Sequence, residues 1–140
     1  MHKTNDILSA SLANARVMIQ ENMRDNDQWL FRGLLAIFDR QTAEEQNTES
    51  TREDNGVGFS GVDGQILTSF AKQVERWNAD RNPRFNSPFS PRQVTICRRK
   101  MSKYGMQLAR IARANHARAE EARIQAEKLV EVESDMGYRN

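Results

Sequence analysis

The sequence predicts an all-α fold, a small helical bundle with a long C-terminal helix, and three observations carry that prediction. Apolar residues recur at three- and four-residue steps in several separate stretches, the period of a helix with one buried side. A sharp helix start stands at Ser90-Pro91-Arg92-Gln93, where Ser90 caps the first turn, Pro91 needs no amide hydrogen and Gln93 bonds back to the cap. From it Val94, Cys97, Met101, Tyr104, Leu108 and Ile111 follow as one sustained apolar seam. Strand content is expected to be low.

Taken in order, the first helix is capped by Thr4 or Asn5 and runs to about Met23, with Ile7, Leu8, Leu12, Ala15, Val17, Met18 and Ile19 as its apolar stripe. Arg24 to Asp27 form a turn, and Asp27 caps a second helix through Trp29, Leu30, Phe31, Leu34, Leu35, Ile37 and Phe38. This most apolar stretch is the expected centre of the core, with Gly33 permitting close approach of a neighbour. From Thr42 to Asp54 no large apolar residue occurs. Its first half prolongs the second helix. A mobile acidic connection is expected near 44–54, because nothing there offsets about 1–2 kcal/mol of ordering entropy per residue.

Four glycines fall between Asn55 and Gly64, in a turn that Val57, Phe59 and Val62 can pin to the core. Asp63 is placed to cap a third helix, whose Ile66, Leu67, Phe70, Ala71, Val74 and Trp77 face inward. Two prolines and an Asn-Pro step make Asn78 to Phe89 a loop. The fourth helix is read as continuous from Ser90, its seam weakening through Asn115, Arg118, Ala122, Gln125, Leu129 and Val132. The chain thus divides into a helical domain over 1–118 and, over 119–140, either a helical extension or a frayed acidic tail.

With 21 Lys and Arg against 19 Asp and Glu, bulk charge selects no partner, so its distribution has to. Arg92, Arg98, Arg99, Lys100, Lys103, Arg110, Arg113 and Arg118 stand in one stretch without an acid, whereas Ala119 to Asp135 is rich in glutamate. On a helical wheel Arg92, Arg99, Lys103, Arg110 and Arg113 lie opposite the apolar seam, along about 30 Å of helix. Such a face can follow a phosphate backbone and release its counterions. Arg81 and Arg84, with Phe85 and Phe89 in the adjoining loop, extend that surface and add stacking on exposed bases. The competing reading is a solvated face that keeps a long helix soluble or pairs with the acidic segment. The opposite charge of the two halves of the last helix also suits an antiparallel second copy.

Other chemistries find little footing. The glycine cluster lacks the Gly-Lys-Ser or Gly-Lys-Thr ending of a phosphate loop and no strand pattern precedes it. Glu44, Glu45, Glu49, Glu53 and Asp54 do not follow the order of a calcium loop, and His2 and His116 sit in no triad or zinc pattern. His2 is expected at a disordered end. A single cysteine, Cys97, lies on the apolar seam as a small hydrophobe, which excludes an internal disulfide and fits a reducing compartment. No stretch approaches the roughly 18 apolar residues of a membrane span. The expectation is a cytoplasmic protein that is not an enzyme, without cofactor, metal or membrane.

The set Gln41-Thr42-Ala43-Glu44-Glu45-Gln46, Asn55-Gly56-Val57-Gly58-Phe59, Asp63, Ser90-Pro91-Arg92-Gln93, Lys103-Tyr104 and Gln107-Leu108 resembles a motif series in small helical proteins encoded by phages and plasmids, over about Trp29 to Ile111. The resemblance implies a mobile-element context, in which small helical proteins act on DNA transactions or block host machinery. It brings no catalytic residue. Two functions are therefore expected in competition: a nucleic-acid-associated protein using Arg92, Arg99, Lys103, Arg110, Arg113, Arg81 and Arg84, or an inhibitor of a host protein such as a defence nuclease.

Overall fold

Among the described residues the chain forms six α-helices and one 3-10 turn: α1 (Thr4–Ser9), α2 (Leu12–Asp25), α3 (Asp27–Asn47), α4 (Gly64–Ala79), α5 (Pro91–Met101), the 3-10 turn Ser102–Tyr104, and α6 (Gly105–Gly137). The structure, a computed structural model, describes residues 1–47 and 58–137, and among the described residues there is no strand. The fold is the all-α bundle that the periodicity predicts. The connection expected near 44–54 lies outside the described residues from position 48 onward.

α3 is the centre of the core because its apolar stripe is the densest: Leu30, Leu34 and Ile37 are fully buried. Around it pack Ile19 and Met23 of α2, Leu67, Phe70 and Val74 of α4, Cys97 and Met101 of α5, and Leu108 of α6. Burying each such side chain contributes about 1.5–3 kcal/mol. Gly33 gives the close approach foreseen for it, since a Cβ there would stand 3.1 Å from Met23 Sδ and 3.2 Å from Leu108 Cδ1. Among the described residues no helix is long and apolar enough to cross a membrane.

The N-terminal helix expected to run unbroken to Met23 is two helices. Ser11 begins α2 by accepting a hydrogen bond from the Asn14 amide at 3.1 Å, so the chain turns at Ala10. His2 is not at a loose end. Its amide donates to Asn22 Oδ1 at 2.8 Å, its carbonyl accepts from Asn22 Nδ2 at 2.9 Å, and its ring lies 2.8 Å from Glu21. Asn22 is buried, and this two-way clasp gives both its amide oxygen and its amide nitrogen a partner. Asn26 rather than Asp27 caps α3, its side chain accepting from the Trp29 amide at 3.0 Å.

The capping box at Ser90 and Gln93 is present as read. The helix it opens does not run on unbroken, because α2 crosses it closely at Ser102–Gly105. Gln20 Nε2 takes the Ser102 carbonyl at 2.7 Å, and a Cβ on Gly105 would meet Gln20 Cγ at 2.8 Å and the Arg16 carbonyl at 3.1 Å. Beyond Ala114 the side chains of α6 are exposed, Glu120 being half-covered, and Arg123 braces this solvated stretch through Glu120 at 2.9 Å and Glu127 at 2.6 Å.

Candidate nucleic-acid interface

α4 and α5 both pack on α3 and run in opposite directions, bridged by long side chains. Gln73 near the middle of α4 reaches Pro88 O at 2.7 Å and Gln93 Oε1 at 3.1 Å, at the start of α5. Asp63, at the start of α4, bonds Lys100 Nζ at 3.2 Å and Lys103, at the far end of α5. With about 100° of rotation per residue, Ile66, Gln73 and Trp77 mark the side of α4 turned to α5. Ser69 and Arg76 then lie just outside the seam, with Gln65 and Lys72 next to them; Gln65, Ser69, Lys72 and Arg76 line one shallow surface depression. On α5 the same construction sets Arg92, Ile96 and Arg99 just outside the seam, because Cys97 and Met101 face the core.

Arg81, Arg84, Arg92, Arg99 and Arg110 are all exposed. None of the five has an ion-pair partner among the described residues. Arg84 stacks its guanidinium on Phe85, 5.6 Å from the ring centroid. Of the acids on these elements, Asp63 is taken up by Lys100 and Lys103, Glu75 lies about half a turn round α4 from the seam, and Asp80 Oδ1 accepts from the Asn82 amide at 3.0 Å.

The other two cations of the sequence-based set are committed to the fold. Arg113 donates to the Ala10 carbonyl, satisfying the group left over where α1 ends. Lys103 pairs with Asp63, a contact that raises the lysine's pKa. Phe89, expected as a stacking surface, is buried instead: its ring meets Phe31 edge-on at 5.3 Å and Phe70 at 5.0 Å. Phe85 alone of the pair is displayed, 69% exposed.

Asp63 is the residue whose role the sequence concealed. It stands at the cap position of α4 yet its side chain makes no capping bond; that side chain is 3% exposed and turned toward α5 and the 3-10 turn. Lys103 first, with help from Lys100 and Tyr104, holds its carboxyl down to about 2 against the cost of burial. Around this carboxylate several motif residues converge. Gln107 clasps Gly58 through both its amide and its carbonyl at 2.9 Å, Gln41 Oε1 accepts from the Phe59 amide at 2.9 Å, and Phe59 packs edge-on against Tyr104 at 5.6 Å. Gly58 has φ 94°, a backbone that favours glycine, and a Cβ there would strike Gln41 at 2.7 Å. Phe59 thus pins the turn as foreseen, whereas Val62 is 90% exposed and Val57 lies outside the described residues.

The arrangement is one of exposed positive charge on α4, α5, the loop between them and the start of α6. Cys97 adds no reactivity, since burial pushes its thiol up to about 12. Lys72 and Arg76 escaped the sequence reading because their link to Arg92 and Arg99 depends on how α4 docks; the readable signal was their shared helical face with Ser69. The family models, curated proteins and solved structures compared with the chain contain no match to it.

Proposed function

We propose that this protein binds nucleic acid without acting on it chemically, the phosphates lying along the exposed sides of α4 and α5, the adjoining loop and the start of α6. A single observation carries the reading: Arg81, Arg84, Arg92, Arg99 and Arg110 are exposed without carboxylate partners among the described residues. Lys72 and Arg76, exposed on α4, add further cations. Guanidinium groups on firm helices give phosphate contacts and release of counterions, and such contacts carry affinity without sequence preference. Lys103 and Arg113, held by Asp63 and Ala10, serve the fold and contribute less to binding. A phage or plasmid setting, in the host cytoplasm, agrees with this use. The test is a titration of labelled oligonucleotide with the protein and with the triple variant Arg92→Glu, Arg99→Glu, Arg110→Glu. Loss of binding supports the proposal, and retained affinity overturns it.

A second reading is favoured by a separate observation. Leu129, Val130, Val132 and Met136 stand 54–65% exposed on the projecting half of α6. An isolated solvated helix gains little from such residues, so a protein surface is a fitting occupant, whether a second copy of the chain or a host protein that an inhibitor would block. Light scattering reads the first case. Recovery of a partner from nuclease-treated lysate, lost when Leu129 and Val132 become serine, reads the second.

A further inference from the structure

We infer that the nucleic acid is single-stranded, and that one of its bases stacks on Phe85. This rests on the nucleic-acid reading above and narrows it to a substrate class.

Phe85 is exposed on a segment that is anchored at Phe85 itself and again at Pro88. Trp77 Nε1 donates to the Phe85 carbonyl at 3.3 Å, and three residues on, Gln73 Nε2 donates to the Pro88 carbonyl at 2.7 Å. Pro88 and Phe89 then enter the core. The ring is therefore displayed from a tethered backbone, and the residue is 69% exposed. Arg84 sits over one face of the ring. The Phe85 ring also forms a wall of an open groove of about 800 Å³, within the size range of small-ligand sites. Asn86, Ser87, Gln93 and Thr95 contribute amide and hydroxyl groups to the same groove, and the one carboxylate lining it, Asp27, is neutralised by its ion pair with Arg98.

An aromatic ring backed by a guanidinium, next to a polar groove and flanked by Arg81 and Arg92, matches the two needs of an unpaired strand: a surface for a base and cations for the phosphates on either side. A duplex meets only the second need, because its bases are already stacked on one another and offer no free face. Every base has a π-face, so the contact gives preference for unpaired strands without sequence preference.

The experiment is fluorescence anisotropy at low salt with oligo(dT) and oligo(U) of about 15 nucleotides and with the matching duplexes, using the full chain and its Phe85→Ala and Phe85→Leu variants. Because Phe85 is exposed, both variants are expected to keep the wild-type melting temperature. The inference expects tighter binding of a single strand than of its duplex, a loss of about fivefold or more for the single strand in both variants, and duplex affinity within about twofold of wild type. Equal affinity for single strand and duplex, or a single-strand affinity untouched by Phe85→Ala, overturns the inference and leaves the nucleic-acid reading standing. Absence of binding to every one of these oligonucleotides overturns both.

Discussion

The Tyr104 hydroxyl donates to Asp63 Oδ2 at 3.1 Å while accepting from the Ser60 amide at 2.9 Å, so one buried phenol joins the start of α4 to the turn before α6. Lys100 and Lys103 complete the set around the carboxylate. Ser60, Asp63, Lys100, Lys103 and Tyr104 thereby fix the end of α5 against the start of α4, and the exposed arginines depend on that docking for their alignment.

Acid should dissolve this joint before it affects the apolar core. The Asp63 carboxyl is held at about 2 in the fold against an ordinary 3.8, so its contribution is fully present above about pH 4 and is lost as pH falls toward 2. Asp63→Asn is expected to cost about 2 kcal/mol at neutral pH, and its stability should change less between pH 4 and pH 2 than that of the wild type. Urea melts followed by circular dichroism across that range check both statements. Parallel curves for the two proteins would remove the carboxylate from the account.

Tyr104→Phe keeps the ring against Phe59 and removes only the hydroxyl. The Ser60 amide then loses its acceptor, and the expected loss is about 1–3 kcal/mol. Equilibrium unfolding gives the value. A loss below about 0.5 kcal/mol would mean that water replaces the phenol at no cost.

Gly105→Ala sets two effects against each other. Alanine is favoured over glycine in a helix by about 1 kcal/mol. Its Cβ would stand 2.8 Å from Gln20 Cγ and 3.1 Å from the Arg16 carbonyl, and overpacking of this kind costs about 1–3 kcal/mol. The clash should win, lowering the thermal midpoint. A raised midpoint would show that α2 and α6 can separate freely.

Much of this was legible before any coordinate. The apolar period located the buried faces of α3, α4 and α5, and the capping box at Ser90 and Gln93 fixed the start of α5 because its chemistry is local. What failed to show was set by tertiary contacts. Nothing in Ser9-Ala10-Ser11 forbids a helix, and the apolar stripe continues across it, so the turn at Ala10 was hidden. Ser102 and Tyr104 are ordinary helix residues, and only the approach of Gln20 accounts for the 3-10 turn. Asp63 reads as a cap by position, and its actual partners lie 37 and 41 residues away. Of the candidate cations, exposure could be inferred from the wheel for Arg92, Arg99 and Arg110, whereas the engagement of Arg113 required α1 to end where it does.

Arg113 supplies a control that separates folding from binding. Arg113→Ala should lower stability by about 1–2 kcal/mol through the orphaned Ala10 carbonyl and leave oligonucleotide affinity at matched folded protein nearly unchanged. An affinity loss as large as that of Arg99→Ala would return Arg113 to the binding surface.

The most direct measurement of the central claim is the dependence of oligonucleotide affinity on salt, taken with the wild type and with the triple variant Arg92→Ala, Arg99→Ala, Arg110→Ala. Each neutralised phosphate contributes a slope of about −0.7 to −0.9 in log K against log salt. The account predicts a wild-type slope steeper than about −3 that becomes shallower by about 2–3 in the variant. A flat wild-type line, or identical slopes for the two proteins, would contradict it.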